Sequence, residues 1–290
     1  MSAPSTSSSK IAADKFRLKF SVTEFVKWML RPLLRKVRGY SPRFYLRSPA
    51  YSRRQVVVDR ETSQAIPIQI RDTVDISVIK QVFIFEDYRL QALKRHDEIR
   101  AWPEKLKLIG KEPLIVDLGA NTGLASLYFA REFPTATIIA LEPDPGNAAM
   151  ARQNLESYSK VTVVEGGIAS ADGRAEILNP GDGNWSYRTE LSQTGKVVMF
   201  SMRSLMAGRS LPNSSPFIVK IDIEGFESDL FSKNTEWIDL FPILIIELHD
   251  WMLPRAATSG NFLREVSRRK RDFVYIGENV FSISNEAWSV

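Results

Sequence analysis

The chain has 290 residues, of which 44% are hydrophobic, and its formal net charge is +5. A chain of this length and composition can bury a sizeable core, which excludes an intrinsically disordered protein. It contains no cysteine, so disulfides, thiolate metal ligands and a cysteine nucleophile are also excluded. A reducing compartment is compatible with this composition.

The positive charge is concentrated near the N-terminus. Residues 1–54 contain 13 Lys or Arg and two acidic residues, a balance of +11, so residues 55–290 carry −6. Between Val22 and Val37, apolar residues recur at helical spacing and basic residues occupy mainly the other positions. We therefore predict a basic, partly disordered, amphipathic helical arm over 1–54. The arm either packs on the domain or contacts an anionic membrane surface through residues 15–54.

The sequence has no run of 18 apolar residues and no signal-peptide pattern. We expect a cytoplasmic protein whose membrane contact, if any, is peripheral and at the inner membrane surface. The basic arm also suits a nucleic acid, but the acidic segment DIEGFE would repel phosphates where a base-binding motif is needed. Nucleic acid is therefore not the expected partner, and the oligomeric state is not predicted.

Residues 55–110 are predicted to form an N-terminal cap of extended and helical segments. From residue 113 onward, short runs rich in Val, Ile and Leu alternate with helical patterns. This alternation indicates a parallel sheet wound with crossover helices. A hairpin or irregular loop over 174–200 interrupts it, and 272–284 is predicted to be a closing antiparallel pair. Residues 111–290 are thus predicted to be a doubly wound, mostly parallel α/β domain.

The first predicted strand ends in the motif IVDLGANTG, which turns into a helix. Glycines there let a ligand approach the main chain. A dinucleotide-binding loop would read G-x-G-x-x-G, and Asn121 stands where its second glycine belongs. Asp117 would repel a pyrophosphate but attract the sulfonium and ammonium groups of S-adenosyl-L-methionine. The predicted cofactor contacts in this motif are Asp117, Gly119, Ala120, Asn121 and Gly123.

Two further strand ends are predicted to contact the nucleoside of the cofactor. Glu142, followed by Pro143, ends the second strand 23 positions after Gly119, where an acid can accept hydrogen bonds from the ribose hydroxyls. The third strand ends in VEGGIAS, which places Gly167 and Ile168 where the adenine is expected.

The fourth strand, in VKIDIEG, carries Lys220, Asp222 and Glu224 at alternate positions, so all three share one face of the strand. Buried charges are costly unless they pair or face a polar cleft. The next strand, in IIELH, brings Glu247 and His249 to the same sheet edge. These residues predict an active site, with a structural salt-bridge network as the alternative.

With these motifs, the chain resembles the FkbM family of S-adenosylmethionine-dependent methyltransferases. The resemblance rests on IVDLGANTGLAS, ALEPDP, VKIDIEGFESDLF and IIELH and covers about residues 80–285. It implies a seven-stranded, Rossmann-like class I methyltransferase fold and methylation of hydroxyl oxygens on sugars, polyketides or other natural products. It also implies that Asp117, Gly119 and Asn121 contact the methionine part of the cofactor and that Glu142 binds the ribose. Asp222, the acid after strand four, is likewise predicted to contact the cofactor.

We accordingly predict an S-adenosylmethionine-dependent O-methyltransferase that acts on a hydroxyl of a sugar, glycolipid or related natural product. The acceptor is then a small molecule or a glycan. The alternative is a non-catalytic protein of the same fold, attached to a membrane or polymer through its basic arm. The complete set of strand-end residues favours the enzyme.

His249 is the predicted general base, because its unperturbed pKa lies closest to neutrality. Asp222 and Glu224 are the competing candidates, and Lys220 would keep Asp222 ionised or orient the acceptor. Asp222, Glu224 or Glu247 can also serve as oxygen ligands of a divalent cation. The spacing does not require one, and no metal is predicted.

Overall fold

The computed structural model describes residues 43–48, 52–178, 188–191, 194–208, 211, 213–252 and 254–288. They all lie in one compact unit, Pro42–Val290. The amphipathic helix predicted between Val22 and Val37 lies outside the described residues. Among the described helices, none has both the length and the apolar character required to cross a bilayer.

The N-terminal part of this unit begins with a small antiparallel sheet. Its elements are β1 (Phe44–Leu46), β2 (Arg54–Asp59), β3 (Ala65–Gln69), α1 (Thr73–Ile79) with a π-helical turn (Lys80–Ile84), a 3₁₀ turn (Leu90–Ala92) and α2 (His96–Leu108). Because β1 pairs with β2, the predicted boundary between residues 54 and 55 falls inside this sheet. Asp72 caps the N-terminus of α1, because its side chain accepts a hydrogen bond from the N–H of Val74.

The remaining elements alternate between strands and helices. They are β4 (Glu112–Leu118), α3 (Leu124–Glu132), β5 (Thr137–Glu142), α4 (Pro145–Leu155), β6 (Val161–Glu165), β7 (Gly167–Ile168), β8 (Gly173–Leu178), β9 (Arg188–Leu191), β10 (Val197–Phe200), α5 (Met202–Ala207), β11 (Ser214–Ile221), α6 (Glu227–Leu230), a 3₁₀ helix (Glu236–Leu240), β12 (Ile243–Glu247), α7 (Gly260–Ser267), β13 (Arg271–Ile276) and β14 (Asn279–Ser284).

Seven of these strands form the main sheet, in the order β13-β14-β12-β11-β4-β5-β6. β14 runs against both of its neighbours, and the other neighbouring pairs are parallel. This topology confirms the predicted mostly parallel, doubly wound sheet. The insertion predicted over 174–200 contributes to a second sheet, in the order β7-β10-β8-β9.

The strand order reverses at the centre of the main sheet. From β4 the chain moves outward to β5 and β6, and β11 then returns to the opposite side of β4. In open α/β sheets, ligands bind beyond the carboxyl ends of the strands at such a reversal. The crevice between β4 and β11 is therefore the expected binding site.

The central strands are buried on both faces. Ile115 and Ile138 face one apolar cluster, while their chain neighbours Val116 and Ile139 face the other. Complete burial of each such side chain contributes about 1.5–3 kcal/mol to stability. The sheet therefore holds the strand ends in fixed positions.

β11 ends earlier than the sequence predicted. The strand stops at Ile221, and the chain then turns through Glu224 (φ +56°) and Gly225 (φ +96°). Only Lys220 of the three alternating charged residues lies within the strand, and the prediction that strand alternation continues through Glu224 was wrong. Asp222 and Glu224 instead lie in the loop at the carboxyl edge.

Candidate active site

The loop from β4 to α3 packs directly on the segment that follows β11. Gly119 has φ +75°, and a Cβ atom on it would lie 1.8 Å from the carbonyl oxygen of Asp222. Gly123 has φ +82°, and its Cβ would lie 2.8 Å from Cδ1 of Leu155 on α4. Both positions therefore exclude a side chain. Gly119 brings the two sides of the crevice together, and Gly123 seats α3 on α4.

Glu142, at the end of β5, is 4% exposed and is held by three hydrogen bonds. Its Oε2 accepts from the backbone N–H of Asn121 (2.8 Å), and its Oε1 accepts from the N–H of Asp144 (3.0 Å) and Nδ2 of Asn147 (3.1 Å). Burial raises the pKa of Glu142, although these donors oppose the shift. An ionised carboxylate can accept about four hydrogen bonds, so Glu142 can still accept one from a hydroxyl group.

A cleft opens at this edge of the sheet. Residues from four strand ends contribute to its wall. They are Gly119, Asn121, Leu141, Glu142, Pro143, Asn147, Gly166, Gly167, Ile168, Asp222, Ile223, Glu224 and Phe226. Seven of the predicted cofactor contacts therefore lie on this wall, namely Gly119, Asn121, Glu142, Pro143, Gly167, Ile168 and Asp222.

The other three predicted contacts lie elsewhere, and the clearest difference concerns Asp117. Asp117 is fully buried beneath the loop, where its Oδ2 accepts a hydrogen bond from Oγ of Ser126 (2.6 Å). Ala120 is buried, and Gly123 faces α4. The structure therefore corrects the expected position of Asp117: the side chain supports the loop from below and does not line the cleft.

Lys220 is 2% exposed and connects both sides of the crevice. Its Nζ donates to the carbonyl oxygen of Gly119 (2.7 Å) and lies 3.1 Å from Asp117 Oδ1 and 3.5 Å from Asp222 Oδ2. Burial would lower the pKa of Lys220, but these two carboxylates outweigh it and the pKa is raised. Burial would likewise raise the pKa of Asp222, but the charge of Lys220 lowers it.

His249, two residues past β12, lies among four carboxylates. Its Nδ1 is 2.7 Å from Oε1 of Glu227, and both side chains are buried. Its Nε2 lies 3.4 Å from Asp222 Oδ1, 3.7 Å from Glu247 Oε1 and 3.9 Å from Glu224 Oε2. The structure thus brings together all five charged residues that the sequence assigned to this edge. Lys220 and His249 lie behind the cleft wall, whereas Asp222 and Glu224 form part of it.

These contacts shift the pKa of several groups. Burial would lower the pKa of His249, but Asp222 and Glu227 raise it to about 11. Burial, reinforced by the negative charge of Asp222, raises the pKa of Glu224 to about 7 and that of Glu247 to about 8. Glu224 also has a left-handed backbone conformation (φ +56°), which is costly for a residue other than glycine and is common at functional sites.

Two polar residues of this region were missed by the sequence reasoning. Asn147 orients Glu142, and its position follows from the helix start at Asp144, whose side chain accepts from the N–H of Asn147 (2.7 Å). Asp144 and Pro145 form a recognisable helix start. Glu227 lies in the quoted motif VKIDIEGFESDLF, but no local pattern distinguishes a buried glutamate from an exposed one.

A comparison with protein-family models identifies the class of protein. The model described as the methyltransferase FkbM domain matches residues 117–275, more than half of the chain. The chain therefore belongs to the FkbM methyltransferase family, which confirms the predicted family, and it is an S-adenosylmethionine-dependent methyltransferase. The cleft suits that cofactor, since it combines a glycine loop, the carboxylate of Glu142 and a carboxylate-rich end near Asp222 that attracts a sulfonium.

Curated relatives include one whose name gives the methylated position and one whose name gives the acceptor. One is the 2-O-methyltransferase NoeI of Sinorhizobium fredii, 26% identical over 176 residues, which cover 55% of this chain and 70% of the relative. Another is the hexuronic acid methyltransferase AglP of Haloferax volcanii, 22% identical over 194 residues, which cover 64% of this chain and 78% of the relative.

Solved structures with a similar chain path include a methyltransferase from Geobacter sulfurreducens. Its TM-score is 0.33 at 17% identity, and the match covers 74% of this chain and 90% of that chain. This similarity is too low to support an inference about the acceptor.

Proposed function

We propose that this methyltransferase transfers a methyl group to a hydroxyl oxygen of a sugar, on a glycan, a glycolipid or a related natural product. The observation that carries the proposal is the position of Asp222 and Glu224. They line the same cleft as Glu142 and Gly119, with His249 directly behind them. Residues that could accept a proton therefore lie next to residues that would bind the nucleoside of the cofactor.

The cofactor-binding side of the cleft includes Gly119, Asn121 and Glu142. Glu142 would accept hydrogen bonds from the ribose hydroxyls, and the acidic end near Asp222 would attract the positive charge of the cofactor. When bound, S-adenosylmethionine supplies a methyl group on a sulfonium, whose C–S electron pair stays on sulfur as the acceptor oxygen forms the new C–O bond. Lys220 holds the Gly119 loop and Asp222 in a fixed relation, which aligns the two partners.

The acceptor hydroxyl loses its proton during the transfer, and we propose that Asp222 or Glu224, which line the cleft, accepts it. His249, the base favoured by the sequence, suits this role less well, because Asp222 and Glu227 raise its pKa to about 11 and keep the imidazole protonated at neutral pH. A base in contact with a hydroxyl accelerates such a step by roughly 10² to 10⁴-fold. The Glu227–His249 contact fixes the imidazole so that Nε2 faces the other carboxylates. Two relatives support this proposal: NoeI is named as a 2-O-methyltransferase, and AglP as a hexuronic acid methyltransferase.

The proposal is tested by comparing methylated products with and without the protein. Mass spectrometry of glycans and glycolipids from cells that carry or lack the gene should show a loss of one methylene mass from specific sugars in the cells that lack it. The purified enzyme should restore that mass with labelled S-adenosylmethionine, and NMR should place the methyl on oxygen. A methyl on nitrogen or carbon, or an unchanged sugar profile, would contradict the proposal.

Two further proposals concern the organisation of the chain. We propose that residues 111–290 hold both the cofactor and the acceptor, because every residue of the cleft wall lies in this range. We also propose that the basic segment 15–54 contacts an anionic membrane surface peripherally, a proposal supported by its charge and its helical spacing.

A further inference from the structure

We propose that Asp222, Glu224 and His249 form a binding site for a divalent cation. One oxygen of each carboxylate and one ring nitrogen of His249 all lie within 4.8 Å of one another. Asp222 and Glu224 are also part of the cleft wall, so a cation bound to them has access to the acceptor.

The two separations that involve His249 are compatible with ligands that share an ion. Nε2 of His249 lies 3.4 Å from Asp222 Oδ1 and 3.9 Å from Glu224 Oε2. An N–H···O hydrogen bond is usually about 2.7–3.2 Å long, so both contacts are longer than direct bonds. Atoms each about 2.1 Å from one octahedral ion lie about 3.0 Å apart when adjacent and about 4.2 Å apart when opposite. Both observed separations fall within that range.

A second, independent observation is the orientation of the buried imidazole. His249 is 2% exposed, and its Nδ1 contacts Oε1 of Glu227, which is also buried, at 2.7 Å. A histidine that binds a metal through one nitrogen usually donates from its other nitrogen to a carboxylate, which fixes the ring tautomer. Glu227 would play this part, and the cation would replace the proton on Nε2, which faces the two cleft carboxylates.

The balance of charged groups also favours a cation. Five carboxylates, those of Asp117, Asp222, Glu224, Glu227 and Glu247, converge on one lysine and one imidazole. Asp117 and Glu227 are buried and the other three carboxylates are partly exposed, and this excess of acidic groups favours the binding of a further cation. A set of two carboxylates and one imidazole suits a first-row divalent ion such as Mn²⁺, because imidazole favours transition metals and carboxylate favours harder ions.

The chemical role of the cation rests on the proposed function. A bound divalent ion would coordinate the acceptor hydroxyl and make it a stronger acid, so that the oxygen attacks more readily. The binding of the cation itself does not depend on the identity of the acceptor. The proposed cation site and the proposed acceptor can therefore be refuted independently.

The test is a titration of the metal-free full-length protein with MnCl₂, in which the EPR signal of free Mn²⁺ is recorded and calorimetry is run in parallel. We expect one bound Mn²⁺ per chain. His249→Gln and Glu224→Gln should each weaken binding by at least about tenfold, and Glu227→Gln by roughly 10- to 100-fold, since it acts through the ligand. Glu112→Gln is the matched control. Glu112 begins β4 at the amino ends of the parallel strands, so this variant should bind Mn²⁺ as the wild type does.

Absence of stoichiometric Mn²⁺ binding by the wild type would overturn the inference, as would equal binding by all variants. A variant that fails to fold is identified by its far-UV circular dichroism. A His249→Gln protein whose circular dichroism spectrum and melting temperature match those of the wild type then provides the deciding measurement. The titration contains no methyl acceptor. An absence of Mn²⁺ binding would therefore not contradict the proposed sugar hydroxyl.

Discussion

The carbonyl oxygen of Gly119 accepts a hydrogen bond of 2.7 Å from Nζ of Lys220, which joins the loop after β4 to the end of β11. The same ammonium group lies close to Asp117 and Asp222. One buried cation thus holds the glycine loop and the acidic end of the cleft together. A change at Lys220 is expected to affect cofactor binding and stability at the same time.

Replacement of Lys220 by Met keeps most of the side-chain volume but leaves the buried Asp117 without its cation. Loss of one partner of a buried ion pair costs about 3–5 kcal/mol. We expect the free energy of unfolding to fall by this amount in urea denaturation, and S-adenosylmethionine binding to weaken. Lys160→Met is the control: Lys160 and Glu112 form an exposed pair at 2.7 Å, which contributes about 0–1 kcal/mol. Equal effects of the two substitutions would refute the role assigned to Lys220.

Glu142→Gln tests the nucleoside site. The amide keeps the shape of the side chain but replaces one acceptor oxygen by a donor, which disturbs the contacts with Asn121 and with a ribose. We expect S-adenosylmethionine binding, measured by calorimetry, to weaken by at least about tenfold, the size of a lost charged hydrogen bond of roughly 1.5–3 kcal/mol. Glu165 pairs with Glu142 in register on β6, and it is half exposed beside Arg152. Glu165→Gln should bind the cofactor normally.

Gly119→Ala tests the close approach of the two loops. A Cβ atom at 1.8 Å from the Asp222 carbonyl oxygen cannot be accommodated, and φ +75° adds strain of about 1 kcal/mol or more. We expect the melting temperature to drop by well over 5 °C, or the protein not to fold, because several kcal/mol are lost. A Cβ atom on Gly173 would meet nothing within 4 Å, so Gly173→Ala should leave the melting temperature almost unchanged.

The loss of stability at acidic pH should depend on Asp59. This buried carboxylate accepts hydrogen bonds from Arg43 (2.8 and 3.0 Å) and Arg131 (3.1 Å). Burial would raise its pKa, but the two guanidinium groups outweigh it and hold the pKa well below its usual range. Its contribution is therefore complete above the unfolded pKa of about 3.9 and is lost as the pH falls toward the lower folded value.

Asp59→Asn should accordingly lower the free energy of unfolding by about 3 kcal/mol at neutral pH. The difference from the wild type should shrink as the pH falls below the unfolded pKa. Urea denaturation across that range measures both effects. Glu61 is 67% exposed and contacts the same Arg43 at 3.2 Å, so Glu61→Gln should change stability by less than about 1 kcal/mol. If the free energy of unfolding of Asp59→Asn depends on pH as that of the wild type does, other carboxylates cause the loss of stability at acidic pH.

The main sheet could be predicted from the sequence because buried parallel strands produce apolar runs, as in residues 113–116 and 138–141. The loop glycines could be predicted because the turn after β4 needs residues without a side chain. Glu142 could be predicted because it ends the next strand, 23 positions after Gly119. The Asp117–Lys220 and Glu227–His249 contacts could not, since they depend on how distant strands register. Asp117 was predicted to contact the cofactor from its charge and its place in the IVDLGANTG motif, whereas in the structure it is buried against Lys220 of β11.

Deletion of residues 1–41 tests the role of the basic arm. The deletion must end there because β1 begins at Phe44 and pairs with β2, so removal of all of residues 1–54 would also disrupt the sheet. Each basic residue near an anionic surface contributes about 1 kcal/mol of attraction. We expect the full-length protein to sediment with vesicles that contain phosphatidylserine and to dissociate at high salt, whereas the shortened protein stays in the supernatant. Both should bind S-adenosylmethionine equally, and vesicle binding that survives the deletion would assign membrane contact to residues 42–290.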